Sequence, residues 1–100
     1  MLLYNVTVGV DKDIEMEWLA WMKEKHIPDV MKTGMFVSSK IYKVLHDQDD
    51  GTTSYSVQYI AKSMDHIQQY LEAYAPALAE EHRQRYLHKH VAFRTLLEEV

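Results

Sequence analysis

The chain contains no cysteine. Disulfides, thiolate metal sites and cysteine nucleophiles are therefore excluded, and nothing in the residues points to an oxidising compartment. Glycine is almost as scarce: only Gly9, Gly34 and Gly51 occur, too few and too dispersed to write a dinucleotide fingerprint or a phosphate loop. The serines stand in no nucleophile motif. No apolar run approaches the roughly 18 residues that a membrane helix requires. The opening Met1-Leu2-Leu3-Tyr4-Asn5-Val6 lacks the cationic lead of a signal peptide and reads as a strand. Positive charge is also in deficit, with 11 Lys and Arg against 15 Asp and Glu and a net charge of −4, a balance that opposes a phosphate backbone. The expectations are a cytoplasmic protein with no membrane and no nucleic-acid partner.

What is present fits an ordered protein. Hydrophobic residues make up 47% and charged residues 26% of the 100 residues, far from the signature of disorder, and the length suits one domain over residues 1–100. From 2 to 10 the even positions Leu2, Tyr4, Val6, Val8 and Val10 are apolar, the period of a strand with one buried face. Asp11, Asp13, Glu15 and Glu17 then place negative charge at a helix start, with Lys23, Lys25 and His26 near its end and Ile14, Trp18, Trp21 and Met22 sharing a stripe. Pro28 disfavours the α-region for Ile27 and predicts a new short helix over 28–33, ended by Gly34 in the left-handed conformation.

A second strand is expected over 36–45, with Lys40 and Lys43 suiting an edge, then a polar turn over 47–51 and a third strand over 53–62 carrying Tyr55, Val57, Tyr59 and Ala61 on one face. Ser63 is a good N-cap for a helix bearing Ile67, Tyr70, Leu71 and Tyr74. Pro76 interrupts that helix before a stretch through Leu78, His82 and Tyr86. A fourth strand over 91–97 closes a β-α-β-β-α-β order, which right-handed crossovers fold into a four-stranded antiparallel sheet with both proline-interrupted helices on one face. We assign Leu2, Val6, Val57 and Phe93 to the helix-covered face. Leu3, Asn5, Thr7, Ser56, Gln58, Ile60, Ala92, Arg94 and Leu96 fall on the other, a semi-apolar surface suited to a homodimer interface or a wet cavity.

At this point the residues carry a resemblance. Tyr4-Asn5-Val6-Thr7-Val8, Trp18-Leu19-Ala20-Trp21-Met22, His26-Ile27-Pro28, Thr33-Gly34, Tyr74-Ala75-Pro76-Ala77-Leu78 and Val91-Ala92-Phe93-Arg94-Thr95-Leu96-Leu97 together resemble a small bacterial family of unknown function. The resemblance implies a ferredoxin-like α+β fold and brings no activity with it. The His-x-Pro segment followed by a glycine is similar, more distantly, to the dimeric α+β barrel superfamily, which includes cofactor-free monooxygenases of the antibiotic-biosynthesis type. That likeness implies a pocket between sheet and helices lined by Asn, Trp, His and Tyr.

Six histidines invite a metal hypothesis built on His82, His88 and His90. A zinc or iron site wants three or four ligands with supporting groups, and neither an HxxxH nor a carboxylate-histidine pattern is present. The expectation is no metal and no cofactor. The run His82, Arg83, Arg85, His88, Lys89 and His90 is the one cationic concentration in an acidic chain. It reads either as an anion-holding surface or as charge complementing a helix C-terminus, the second being favoured. Trp18 and Trp21 fill a core or, with His26 and Asn5, frame a pocket for a planar apolar ligand, to which Tyr59 and Arg94 are added as candidates. His26 is the first candidate general base, with Asn5 and His82 as further catalytic candidates. Two readings result. One is a homodimeric binding or accessory module without catalytic machinery. The other is a cofactor-independent enzyme, monooxygenase-like or isomerase-like, acting on a small apolar or aromatic substrate.

Overall fold

Alternating apolar side chains at the even positions build the central strand β1 (Leu2–Asp11). The computed structural model describes residues 1–45 and 51–100, and in it β1 is followed by a 3-10 turn (Lys12–Ile14) and helix α1 (Glu15–Trp21). Next come a π-helical turn (Met22–His26), α2 (Ile27–Lys32), β2 (Ser38–Lys43), β3 (Thr52–Ala61), α3 (Met64–Ala73), α4 (Ala75–Arg85) and β4 (His90–Glu98). The strands form one antiparallel sheet in the order β2-β3-β1-β4, with the helices against one face. This is the ferredoxin-like α+β fold. The turn expected over 47–51 falls outside the described residues except for Gly51, which has a φ of +80°.

The first proline does not break its helix. The short helix expected from Pro28 is present as α2, with the proline in its first turn, but Ile27 stays helical at φ −61° and ψ −45°, contrary to the expectation that it leaves the α-region. The reason lies one turn earlier. A proline at 28 would crowd the carbonyl of residue 24 and cannot return its hydrogen bond. The chain instead widens into the π turn, where the Ile27 N–H bonds back to the Met22 carbonyl. Pro76 behaves as expected: α3 ends at Ala73, Tyr74 is stretched to φ −119° and α4 starts afresh with the proline in its first turn. Ser63 caps α3 by accepting the His66 N–H at 3.3 Å, and Gly34 ends α2 at φ +77°.

Pairing with β1 corrects the face assignment of β4. Tyr4 lies opposite Leu96, Val6 opposite Arg94 and Val8 opposite Ala92, and paired residues share a face. Ala92, Arg94 and Leu96 therefore belong to the helix side, while Phe93, opposite Thr7, lies on the open side. The periodicity of β4 is ambiguous because both of its alternating sets, Val91, Phe93 and Leu97 and Ala92 and Leu96, are apolar. Gly9 sits under Val91, whose Cγ2 would be 3.3 Å from an added Cβ. β2 is shorter than expected. Phe36 leaves the strand to enter the core and Leu45 is exposed, although Val37 and Val44 still donate to the Ile60 and Ser54 carbonyls of β3.

The core lies between sheet and helices. Tyr4, Phe36, Tyr59 and Tyr70 form one aromatic cluster with ring centroids 4.9–6.1 Å apart, and the core also includes Val8, Val10, Val57, Ala61, Val30 and Ile67 and, towards α1 and α4, Trp18, Tyr55 and Tyr86. Glu15 fastens α1 to β3 by accepting hydrogen bonds from the Tyr55 hydroxyl at 2.6 Å and the Thr53 hydroxyl at 3.0 Å. Those bonds hold its carboxyl below the usual range, and burial with the same bond pushes the Tyr55 phenol up to about 12.

Candidate functional site

The sheet and helices do not meet everywhere. Between β1, β3 and β4 on one side and the π turn, α3 and α4 on the other lies a cavity of about 480 Å³, within the range of roughly 300–1,000 Å³ typical of small-molecule pockets. Its walls are apolar where Val6, Val8, Val57, Met22, Ala75 and Ala79 contribute and polar where Tyr4, His26, His82, His88, His90 and Arg94 do. Among the described residues that line it, none is Asp or Glu.

His82 comes from α4 and is 8% exposed. The buried Trp18 donates its indole N–H to His82 Nε2 at 2.9 Å. Because an indole nitrogen can only donate, Nε2 must be the acceptor and the proton of the neutral ring must sit on Nδ1. Burial, with further contributions from His90, His26 and Arg94, depresses its pKa to about 3. The ring is consequently neutral at physiological pH, with its accepting nitrogen already occupied. His90 Nδ1 donates to the Tyr86 carbonyl at 2.8 Å, and the His90 and His82 rings lie 4.5 Å apart, edge to face.

His26 enters from the π turn, the segment that Pro28 forces open. Its ring lies 5.7 Å from that of His82 and 5.2 Å from that of Trp21. Burial lowers its pKa, against the opposing influence of Glu81 and Asp29. Its Nδ1 is buried and has no hydrogen-bond partner among the described residues, and the residue lines the cavity. Arg94 reaches in from β4 and donates through Nε to the Tyr4 hydroxyl at 2.7 Å. Burial raises the Tyr4 pKa while Arg94 counteracts it.

The candidate residues thus divide. His26, His82, Tyr59 and Arg94 all line the cavity. Trp18 is fully buried behind it, 5.0 Å from the Tyr55 ring. Trp21 packs beside His26, His82 and Tyr86 under the Arg85 guanidinium. Both tryptophans back the histidines and do not line the cavity. Asn5 is on the opposite face of the sheet, where it donates to the Thr7 hydroxyl at 3.0 Å and accepts from the Ser56 hydroxyl at 2.5 Å, so it cannot act with His26. Sequence reasoning misses Tyr4 and Tyr70 as site residues; the strand period that places Tyr4 among the buried even positions is the signal that finds it. His88 and His90, read from the sequence chiefly as charge at a helix end, line the cavity. His88 does so from a left-handed φ of 65°, a conformation uncommon away from glycine. Among the described residues no three His, Asp or Glu side chains are placed to hold a metal ion.

Known proteins place this architecture. A mutant of SnoaB, a cofactor-independent oxygenase from Streptomyces nogalater, is 13% identical over 98% of this chain and 92% of its own, with a TM-score of 0.67. An ethyl tert-butyl ether d (ethd) family protein from Bacillus halodurans is 11% identical with complete coverage of both chains and a TM-score of 0.71. A dimeric ferredoxin-like protein from an uncultured marine organism is 12% identical over 100% of this chain and 95% of its own, with a TM-score of 0.67. At such identities the likeness is one of fold. No curated protein matches the chain, and no helix among the described residues is long and apolar enough to cross a membrane. The chain belongs to the family described as a domain of unknown function, DUF4286, whose model matches residues 1–100.

Proposed function

We propose that this protein is a cytoplasmic, single-domain homodimeric module that binds one small, largely apolar molecule per protomer in the cavity beneath His26, His82 and Arg94. The observation that carries this reading is the cavity itself, apolar-walled and with a few convergent polar groups, beside a packed aromatic core that has no need of the space. The dimer is supported by the open sheet face, where Val91, Phe93 and Leu97 of β4 and, at the other edge, Tyr42 of β2 are exposed. An apolar surface of that kind on a sheet is ordinarily covered. Neighbours of the same fold described as dimeric lend further weight. The acidic balance of the chain argues against a nucleic-acid partner.

A second reading follows from one observation. His26 lines the cavity, its buried Nδ1 has no partner among the described residues, and burial lowers its pKa, favouring the neutral ring that a general base needs. A solved neighbour is a cofactor-independent oxygenase. An activity here would rest on His26 taking a proton from a bound substrate, with His82 held as a neutral neighbour by Trp18. Native mass spectrometry of untagged protein tests the module reading. The expected result is a dimer carrying the mass of a small organic molecule. A monomer would refute the dimer, and an unliganded dimer from every preparation would refute the ligand.

A further inference from the structure

We infer that the molecule this cavity takes is an anion, with a carboxylate or comparable oxyanion at Arg94 and an apolar body against the valines. The inference rests on the cavity being a ligand site and adds the ligand's charge. The first ground is the sign of the lining. In a chain of net charge −4, the described residues around this one space include two arginines and four histidines and no carboxylate.

The second ground is the state of the two arginines. Arg83 is already neutralised by a bidentate contact with Glu80, at 2.9 Å from Nε and 2.7 Å from Nη2. Arg94 has no carboxylate within ion-pair reach among the described residues. Its only side-chain hydrogen bond to the described residues is the one from Nε to the Tyr4 hydroxyl. That bond fixes the guanidinium plane and leaves the terminal nitrogens, the natural partners of a two-oxygen anion, uncommitted. The third ground is the remaining polar set. His26 lines the same cavity with its buried Nδ1 unpartnered among the described residues, and His82 carries its proton on Nδ1 because Trp18 occupies Nε2. Neutral rings leave Arg94 as the charge that an anion meets and add no competing acceptor that is negatively charged.

Paired probes test this on the full-length protein. Phenylacetate and its neutral isostere phenylacetamide are titrated by calorimetry into wild type, Arg94→Gln, Arg94→Lys and Arg83→Gln, with circular dichroism confirming that each variant is folded. We expect phenylacetate to bind about tenfold or more tighter than the amide, the scale of one charge-assisted contact. That preference should vanish in Arg94→Gln, survive in part in Arg94→Lys and persist in Arg83→Gln. Equal or tighter binding of the amide by wild type overturns the anion and leaves the ligand site standing. Loss of the preference in Arg83→Gln but not in Arg94→Gln overturns the assignment to Arg94. Failure of both probes to bind at millimolar concentration overturns the inference and the ligand site together.

Discussion

Acid should destabilise this protein through His82, and replacing His82 by glutamine should remove that part of the effect. The ring is nearly buried, accepts the Trp18 indole N–H and titrates at about 3, against 6.5 for an ordinary histidine. Below pH 6.5 the unfolded chain binds a proton that the folded chain refuses, so folding is increasingly opposed as pH falls towards 3. Between pH 7 and pH 4.5 the loss from this one residue integrates to about 2.5 kcal/mol. His26, also depressed by burial, adds a loss of the same sign. The carboxylates of Glu15, Asp29 and Glu80, all held low by their hydrogen bonds, add losses common to both proteins that cancel in the difference. Glutamine keeps an acceptor for Trp18 and cannot be protonated. Urea unfolding at equal protomer concentration across pH 4.5–7 reads the result as the difference in stability between wild type and His82→Gln. Parallel pH profiles would refute the buried, neutral state of His82.

Other outcomes follow from the same structure. His82→Phe should be less stable than His82→Gln at pH 7 by about 1–3 kcal/mol, because it orphans the fully buried Trp18 N–H, a difference that denaturant midpoints will show. Gly34→Ala should cost about 1 kcal/mol through its left-handed φ of +77° alone, since an added Cβ meets nothing within 4 Å. Ser63→Ala should cost about 1 kcal/mol by uncapping α3, again read in chemical denaturation. Phe93→Glu, on the open sheet face, should convert the proposed dimer to a monomer in sedimentation velocity without loss of secondary structure.

Most of the frame is legible in the residues. The strict alternation of 2–10, the acidic start of α1, the Ser63 cap and Gly34 each express a local preference that the fold does not override. What escapes is set by partners distant in sequence. The side of the sheet that Phe93 and Arg94 occupy depends on their register with Thr7 and Val6, and a strand apolar on both faces does not declare it. The helical Ile27 and the π turn that brings His26 to the cavity arise from a conflict between Pro28 and a continuing helix. A local rule resolves that conflict as a break. Of the candidate site, His26, His82, Tyr59 and Arg94 converge on one space. Asn5 is grouped with them in the sequence because neither chain distance nor residue type reveals which way a central strand faces.

The central claim, a ligand site beneath His26 and Arg94, is tested most directly by titrating isotope-labelled protein with phenylacetate and following side-chain NMR signals. The account predicts saturable shifts of the Arg94 guanidinium and the His26 imidazole, with the amides of Phe93 and Lys40 on the open face unmoved. Shifts confined to the open face, or none at millimolar phenylacetate, would contradict it.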